Sequence, residues 1–254
     1  MGVSLRFTTD DTFRPDLPLL PHLSQSQWIY LGLVGMIVVL HGLKELLPLQ
    51  INPGQATTWL MITVTAILGE VGLLLAPRMG FPAMWDTAIT KWQRLWMPLL
   101  IGVVLGTIMV IFDLFQPMGT ELQTRFPDSL LIFSLGGLLE EIQIHLFLLP
   151  LLIWLISGVL LRGKGQTATF WAIALLGAIG YWGLQMVGLA SMFPETFSMA
   201  LAAQLFVIIV GSIIGGALFF RHSGFLAAVA FRYGFYLIWH ILWAGGIGLV
   251  RYWM

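Results

Sequence analysis

The sequence predicts an all-α fold, a polytopic bundle of about seven membrane-crossing helices. Two observations carry this. The 254 residues are 58% apolar and only 9% charged, with a mean hydropathy of +0.91, whereas soluble domains carry about 25% charged residues. The apolar residues also fall into runs near the ~20 residues that a helical span needs. Those runs lie at about 28–48, 56–76, 97–115, 129–161, 168–190, 197–220 and 224–250.

Residues 1–27 are polar and Pro-containing, without the apolar stretch of a cleavable signal. After two spans comes "FPAMWDTAITKWQRLWMP", where Trp85, Ile89, Trp92 and Trp96 recur at helical spacing. Asp86, Lys91 and Arg94 fall off that stripe, so the spacing predicts an amphipathic helix over 82–96 lying in the membrane interface. The fourth and seventh spans are long enough to tilt or break, with Pro150 and the Gly245-Gly246 pair as the expected places. The chain divides into a polar segment 1–27, N-terminal spans with the interfacial helix over 28–127, and a core over 128–254.

With the N-terminus inside, the inner segments hold Arg6, Arg14, Arg78, Lys91, Arg94, Arg162, Lys164 and Arg221. The outer ones hold Lys44, Arg125 and Arg251. The positive-inside bias thus predicts seven crossings and a cytoplasmic N-terminus. No internal repeat supports an inverted-repeat transporter. The net charge is zero, which leaves no basic stripe and no case for nucleic acid as a partner. The absence of Cys excludes disulfides, thiolate metal sites and a Cys nucleophile. The C-terminal "VRYWM" carries no lipidation motif.

Ionisable groups at bilayer depth cost at least about 2.5 kcal/mol each, so they face partners or cavities. The deep ones are Glu70, Glu140, Glu141, His145, Arg232 and His240, with Tyr181, Gln185 and Gln204 as neutral polar companions. Lys44, Glu45 and Asp113 lie near span ends, where they can snorkel. Glu141 and His145 share a helical face at i, i+4. Arg232, Tyr236 and His240 repeat that spacing on the last span, and Tyr181 and Gln185 on the fifth. Three helices therefore each present a polar stripe. On spacing alone these stripes are either a buried ion-pair cluster that locks the bundle or a catalytic or ion site. A lone His such as His41 or His240 is also a conceivable axial ligand of a haem or pigment, although a single His on an apolar helix is more often only hydrogen-bonded.

"LLEEIQIHLFLLPLL" resembles the first motif of the CPBP family, the Abi or CAAX-protease group of intramembrane proteases, in which two glutamates are followed by an arginine. "GFLAAVAFRYGFYLIWH" is similar to the region of the family's third motif, and the likeness covers about residues 128–245. The resemblance implies that Glu140 and Glu141 are the family's glutamate pair, the catalytic residues if the protein is active. At the other motif positions this sequence departs. His145 stands for the arginine, Tyr181 and Gln185 stand for the Phe and His of motif two, and Arg232 and Tyr236 stand for the His and Asn/Asp of motif three. His240 matches a trailing histidine. In the family, the first glutamate and two histidines are thought to hold a catalytic water, with or without a metal. Arginine has no acceptor and does not deprotonate, and a glutamine carbonyl is a poor substitute for imidazole at zinc.

The expectation is therefore a CPBP-like core with a degenerate site and no cofactor, in which Arg232 pairs with Glu140 or Glu141 while His145 and Gln185 add hydrogen bonds. Such a pseudoenzyme would bind or assemble another membrane protein or serve as a subunit of a larger membrane complex, in a prokaryotic cytoplasmic membrane. The alternative is an active endopeptidase with Glu140 as base and His145 or His240 as partner, and zinc belongs only to that alternative. "GSIIG", Gly211 to Gly215, permits close helix contact, within the monomer or between chains.

Overall fold

The computed structural model describes residues 24–49, 57–116, 124–195 and 197–247. Arg6, Arg14, Arg251 and nearly all of the predicted polar segment 1–27 lie outside the described residues. Six helices are long and apolar enough to cross a membrane: α1 (Gln25–Leu46), α3 (Trp92–Phe115), α4 (Asp128–Leu160), α5 (Gln166–Met192), α6 (Met199–Ser223) and α7 (Phe225–Gly246). A shorter apolar helix, α2 (Trp59–Leu75), occupies the predicted second span. It has 17 residues because Thr58 caps its start, accepting from the Met61 N–H, and because Pro77 follows its end. Among the described residues there is no strand.

Hydrogen bonds place the helix ends at two opposite faces. On the face that holds the start of α1, Ser26 accepts from Met84 N–H. On the same face Gln166 at the start of α5 donates to the Met79 carbonyl, and Arg221 near the end of α6 donates to Thr167. On the other face Lys44 donates to Thr57, Phe126 N–H to the Gly245 carbonyl, and Gln204 to the Phe112 and Gln116 carbonyls. Successive helices therefore run in alternating directions.

The predicted interfacial helix over 82–96 does not form. Residues 81–90 are turns and irregular backbone, and helix begins only at Lys91, continuous with α3. Local polar groups explain the late start. Asp86 accepts from Ala88 N–H in an Asx-type turn. Thr90 and Gln93 make reciprocal cap bonds, which fix the helix start at Thr90. Arg94 is buried, packs over the Trp85 ring at 4.1 Å, and donates to the Asp86 and Ile89 carbonyls. The Trp stripe that suggested an amphipathic helix thus serves partly to clamp a loop.

Neither expected break occurs. α4 continues through Pro150 for 33 residues. Its turns widen over Ile142–Leu148, where Leu149 N–H reaches back to the Ile144 carbonyl, and again over Trp154–Leu160. Pro150 lies in the first turn of the regular segment Leu149–Ile153 that follows the first widening, so its missing N–H and its ring are accommodated without ending the helix. α7 runs through Gly245 and Gly246, also with widened turns, over Leu237–Ile247.

Helix contacts use small residues where backbones meet, as expected when lipid gives no hydrophobic drive to association. α3 crosses α7 so closely that a Cβ on Gly102 would strike the Phe231 carbonyl, one on Gly106 would lie 2.9 Å from the Phe235 carbonyl, and one on Gly234 would strike the Leu99 carbonyl. Gly72 of α2 lies against the Leu146 backbone of α4 in the same way. A Cβ on Gly215 would lie 2.6 Å from the Phe231 ring and one on Gly211 would meet Leu105, so "GSIIG" packs the monomer's own helices. α6 joins α7 through Gly224 alone, whose φ of +83° suits a residue without Cβ.

Candidate functional site

The polar stripes of α4 and α7 meet in the middle of the bundle. Each helix is obliged to bury the stripe, because ionisable groups are costly in hydrocarbon, and Leu138, Leu139 and Ile142 of α4 and Phe231 and Phe235 of α7 are buried around it. Arg232 Nε donates to Glu141 Oε1 at 2.6 Å, and Arg232 Nη1 lies 3.3 Å from Glu140 Oε1. Tyr236 donates to Glu140 Oε2 at 2.8 Å, and Tyr181 of α5 stands near Glu140. Glu141 Oε2 lies 2.6 Å from His145 Nδ1. The other nitrogen, Nε2, lies 2.9 Å from the Ile213 carbonyl of α6. Glu141 is fully buried, His145 and Arg232 nearly so, while the Glu140 side chain keeps 18% exposure.

The hydrogen bonds fix the proton count. A backbone carbonyl only accepts, so His145 Nε2 carries a proton, and the short contact from Nδ1 to the carboxylate requires one more proton between them. The Glu141–His145 pair is thus neutral as a unit, and Glu140 is balanced by Arg232. Two carboxylates against two cationic groups close the charge of a site where an unpaired ion would be costly.

Each of the four carboxylate oxygens already has a donor: Arg232 and His145 on Glu141, Arg232 and Tyr236 on Glu140. Arg232 stands between the glutamates with donors only. A divalent metal or a metal-bound water, which the resemblance would place here, does not fit this donor set. Among the described residues no group of three His, Asp or Glu side chains is arranged to hold a metal.

The other sequence-predicted residues lie outside the cluster or at its edge. Gln185 is exposed on α5 and makes none of the expected contacts. Tyr181, one turn of α5 before Gln185, stands near Glu140, while Gln185 itself is exposed. His240 stacks on Phe133 at 3.8 Å and lies edge-on to Tyr236, and its Nδ1 has no partner among the described residues. Glu70 accepts from Gln27 at 2.8 Å across α1 and α2. His41 is buried beside Thr57 and meets the Trp59 ring edge-on. Gln204 ties α6 to the end of α3.

Two residues expected to snorkel turn inward instead. Lys44 is buried and donates to the Thr57 carbonyl and hydroxyl, and Asp113 is buried and accepts from Trp243 Nε1 at 2.9 Å. Of the three, only Glu45 is exposed. Sequence reasoning missed Gln143, which donates to Thr65 at 2.6 Å, and Tyr233, which donates to the Ser134 carbonyl. It also missed Gly216, against which the His145 ring packs. The Gly215-Gly216 pair in an apolar span was the available signal.

No protein-family model matches the chain, and no curated protein or solved structure matches it either.

Proposed function

We propose that the protein is a non-catalytic integral membrane protein in which a CPBP-like core, residues 128–254, has exchanged its chemistry for a polar tie between helices. In this reading it binds or assembles another membrane protein, or is a subunit of a larger membrane complex. One observation carries it: the Arg232 guanidinium engages both Glu140 and Glu141, so the glutamates that would activate a water are instead paired with a group that cannot take part in proton transfer. The packing of His145 between Glu141 and the Ile213 carbonyl supports it further, because it occupies both ring nitrogens.

α2 completes a seventh crossing, since 17 residues is the short end of the spanning range. The excess of Arg78, Lys91, Arg94, Arg162, Lys164 and Arg221 on the face that holds the start of α1 favours a cytoplasmic N-terminus, in a prokaryotic cytoplasmic membrane.

The test is to compare wild type with Glu140→Ala for copurifying membrane protein, for complementation of a deletion strain, and for cleavage of membrane peptides. Where Glu140→Ala still folds, the expected outcome is an unchanged partner and unchanged complementation. Cleavage by wild type that disappears in a folded Glu140→Ala protein would establish the endopeptidase instead.

A further inference from the structure

A cleft of about 400 Å³ lies between α4, α5 and α6, within the size range of ligand pockets. His145 and Tyr181, both near the middle of their helices, close its inner end. From there it follows Leu152, Gly177 and Ala217 toward the face where α4 ends and α5 begins. Its rim residues Leu148 and Leu176 are exposed, so it opens sideways at the depth of the hydrocarbon. His145 is occupied with Glu141 and Ile213, and Tyr181 stands near Glu140. Apart from the Tyr181 hydroxyl, the side chains left for an occupant to touch are apolar.

The face beyond the end of the cleft differs in character. Arg221 is four residues beyond Ala217 and eight beyond Ile213, on the stripe of α6 that walls the cleft. It donates to Thr167 Oγ1 at 3.0 Å and packs over the Phe170 ring at 4.4 Å, which holds the guanidinium across to the start of α5. Arg162 and Lys164 are exposed in the tight turn that joins α4 to α5 at the same end. The sequence places no Asp or Glu between residues 142 and 194 and none after Glu195. The lining of the apolar cleft thus stops at Ile156, Ala172 and Ala217, one to two helical turns short of three cations at the same end of these helices.

We propose that this cleft holds an acyl chain of an anionic phospholipid, with its phosphate at Arg162, Lys164 and Arg221. A basic cluster at the headgroup level attracts anionic lipid, and the cleft beneath it gives a single chain a fixed seat. The inference rests on the membrane-spanning bundle and stands whether or not the Glu–Arg cluster is catalytic.

The test uses the full-length protein in detergent, offered equal amounts of phosphatidylglycerol and phosphatidylcholine, with retained lipid read by native mass spectrometry. Wild type should retain phosphatidylglycerol several-fold over phosphatidylcholine. Arg162→Gln with Lys164→Gln, both at exposed turn positions, should bring the ratio near one. Gly177→Leu should lower retention of both lipids, because a Cβ at Gly177 meets nothing within 4 Å and the side chain grows into open space. Its melting temperature should hold, which separates loss of the seat from loss of the fold. Glycerol phosphate, a headgroup without chains, should not displace the lipid. Equal retention of the two lipids by wild type, unchanged retention in Gly177→Leu, or displacement by glycerol phosphate would overturn the proposal.

Discussion

Arg232 and Glu141 face each other across the α4–α7 contact with Nε 2.6 Å from Oε1, both side chains almost wholly withdrawn from the surface. Breaking one side of a buried pair strands a charge and costs about 3–5 kcal/mol. Arg232→Met should therefore destabilise strongly, and adding Glu140→Gln and Glu141→Gln should restore much of the loss. Unfolding measured through this cycle should give a coupling well above zero, and simple additivity would contradict the contact.

The His145 ring depends on Gly216, because a Cβ there would run into it. Gly216→Val should push the ring off the Ile213 carbonyl and cost about 1–3 kcal/mol, the usual range for overpacking. The change should show as a lower melting temperature. Replacing His145 with Ala in the Gly216→Val background should relieve the crowding, so the double variant should fall short of additive loss.

The glycines divide sharply by their surroundings. Gly102→Val should fall at or above the upper end of that ~1–3 kcal/mol range, since the obstacle is the Phe231 carbonyl, which cannot turn aside. Gly35→Val on α1 meets nothing within 4 Å and should be tolerated. Expression and thermal stability of the two variants side by side would decide this.

The chain contains no Cys, so single cysteines report topology without background. Lys164→Cys, in the exposed turn between α4 and α5, should react with a membrane-impermeant maleimide only after the cytoplasmic side is opened. Leu47→Cys, exposed at the opposite end of α1, should react in intact cells. Reversal of both would invert the orientation, and labelling of both from one side would remove one crossing.

The positions of the helices were legible because apolar runs and spacing are properties of the chain alone. The meeting of Glu140, Glu141, His145, Arg232 and Tyr236 was legible too, since each burdened helix had to bury its stripe and the charges could balance only together. What was not legible depended on contacts remote in sequence. The interfacial helix failed because Asp86 and Thr90 offered competing backbone bonds. Gln185 turned outward because the position of α5 is set by Tyr181 and by the seating of Trp182 against the Ala202 carbonyl. Lys44 and Asp113 turned inward because partners waited at Thr57 and Trp243, residues that spacing does not connect to them.

α2 and α4 are side by side, joined at Gly72 and by the bond from Gln143 to Thr65, yet they have 17 and 33 residues. At 1.5 Å per residue that is about 26 Å against about 50 Å. Hydrocarbon is about 30 Å thick, and even a tilt of about 40° leaves α4 near 38 Å. If α2 crosses as proposed, it matches a thinner bilayer than α4 beside it does. Where both helices lie in a bilayer, lipid beside α2 and lipid beside α4 meet apolar surfaces of different height.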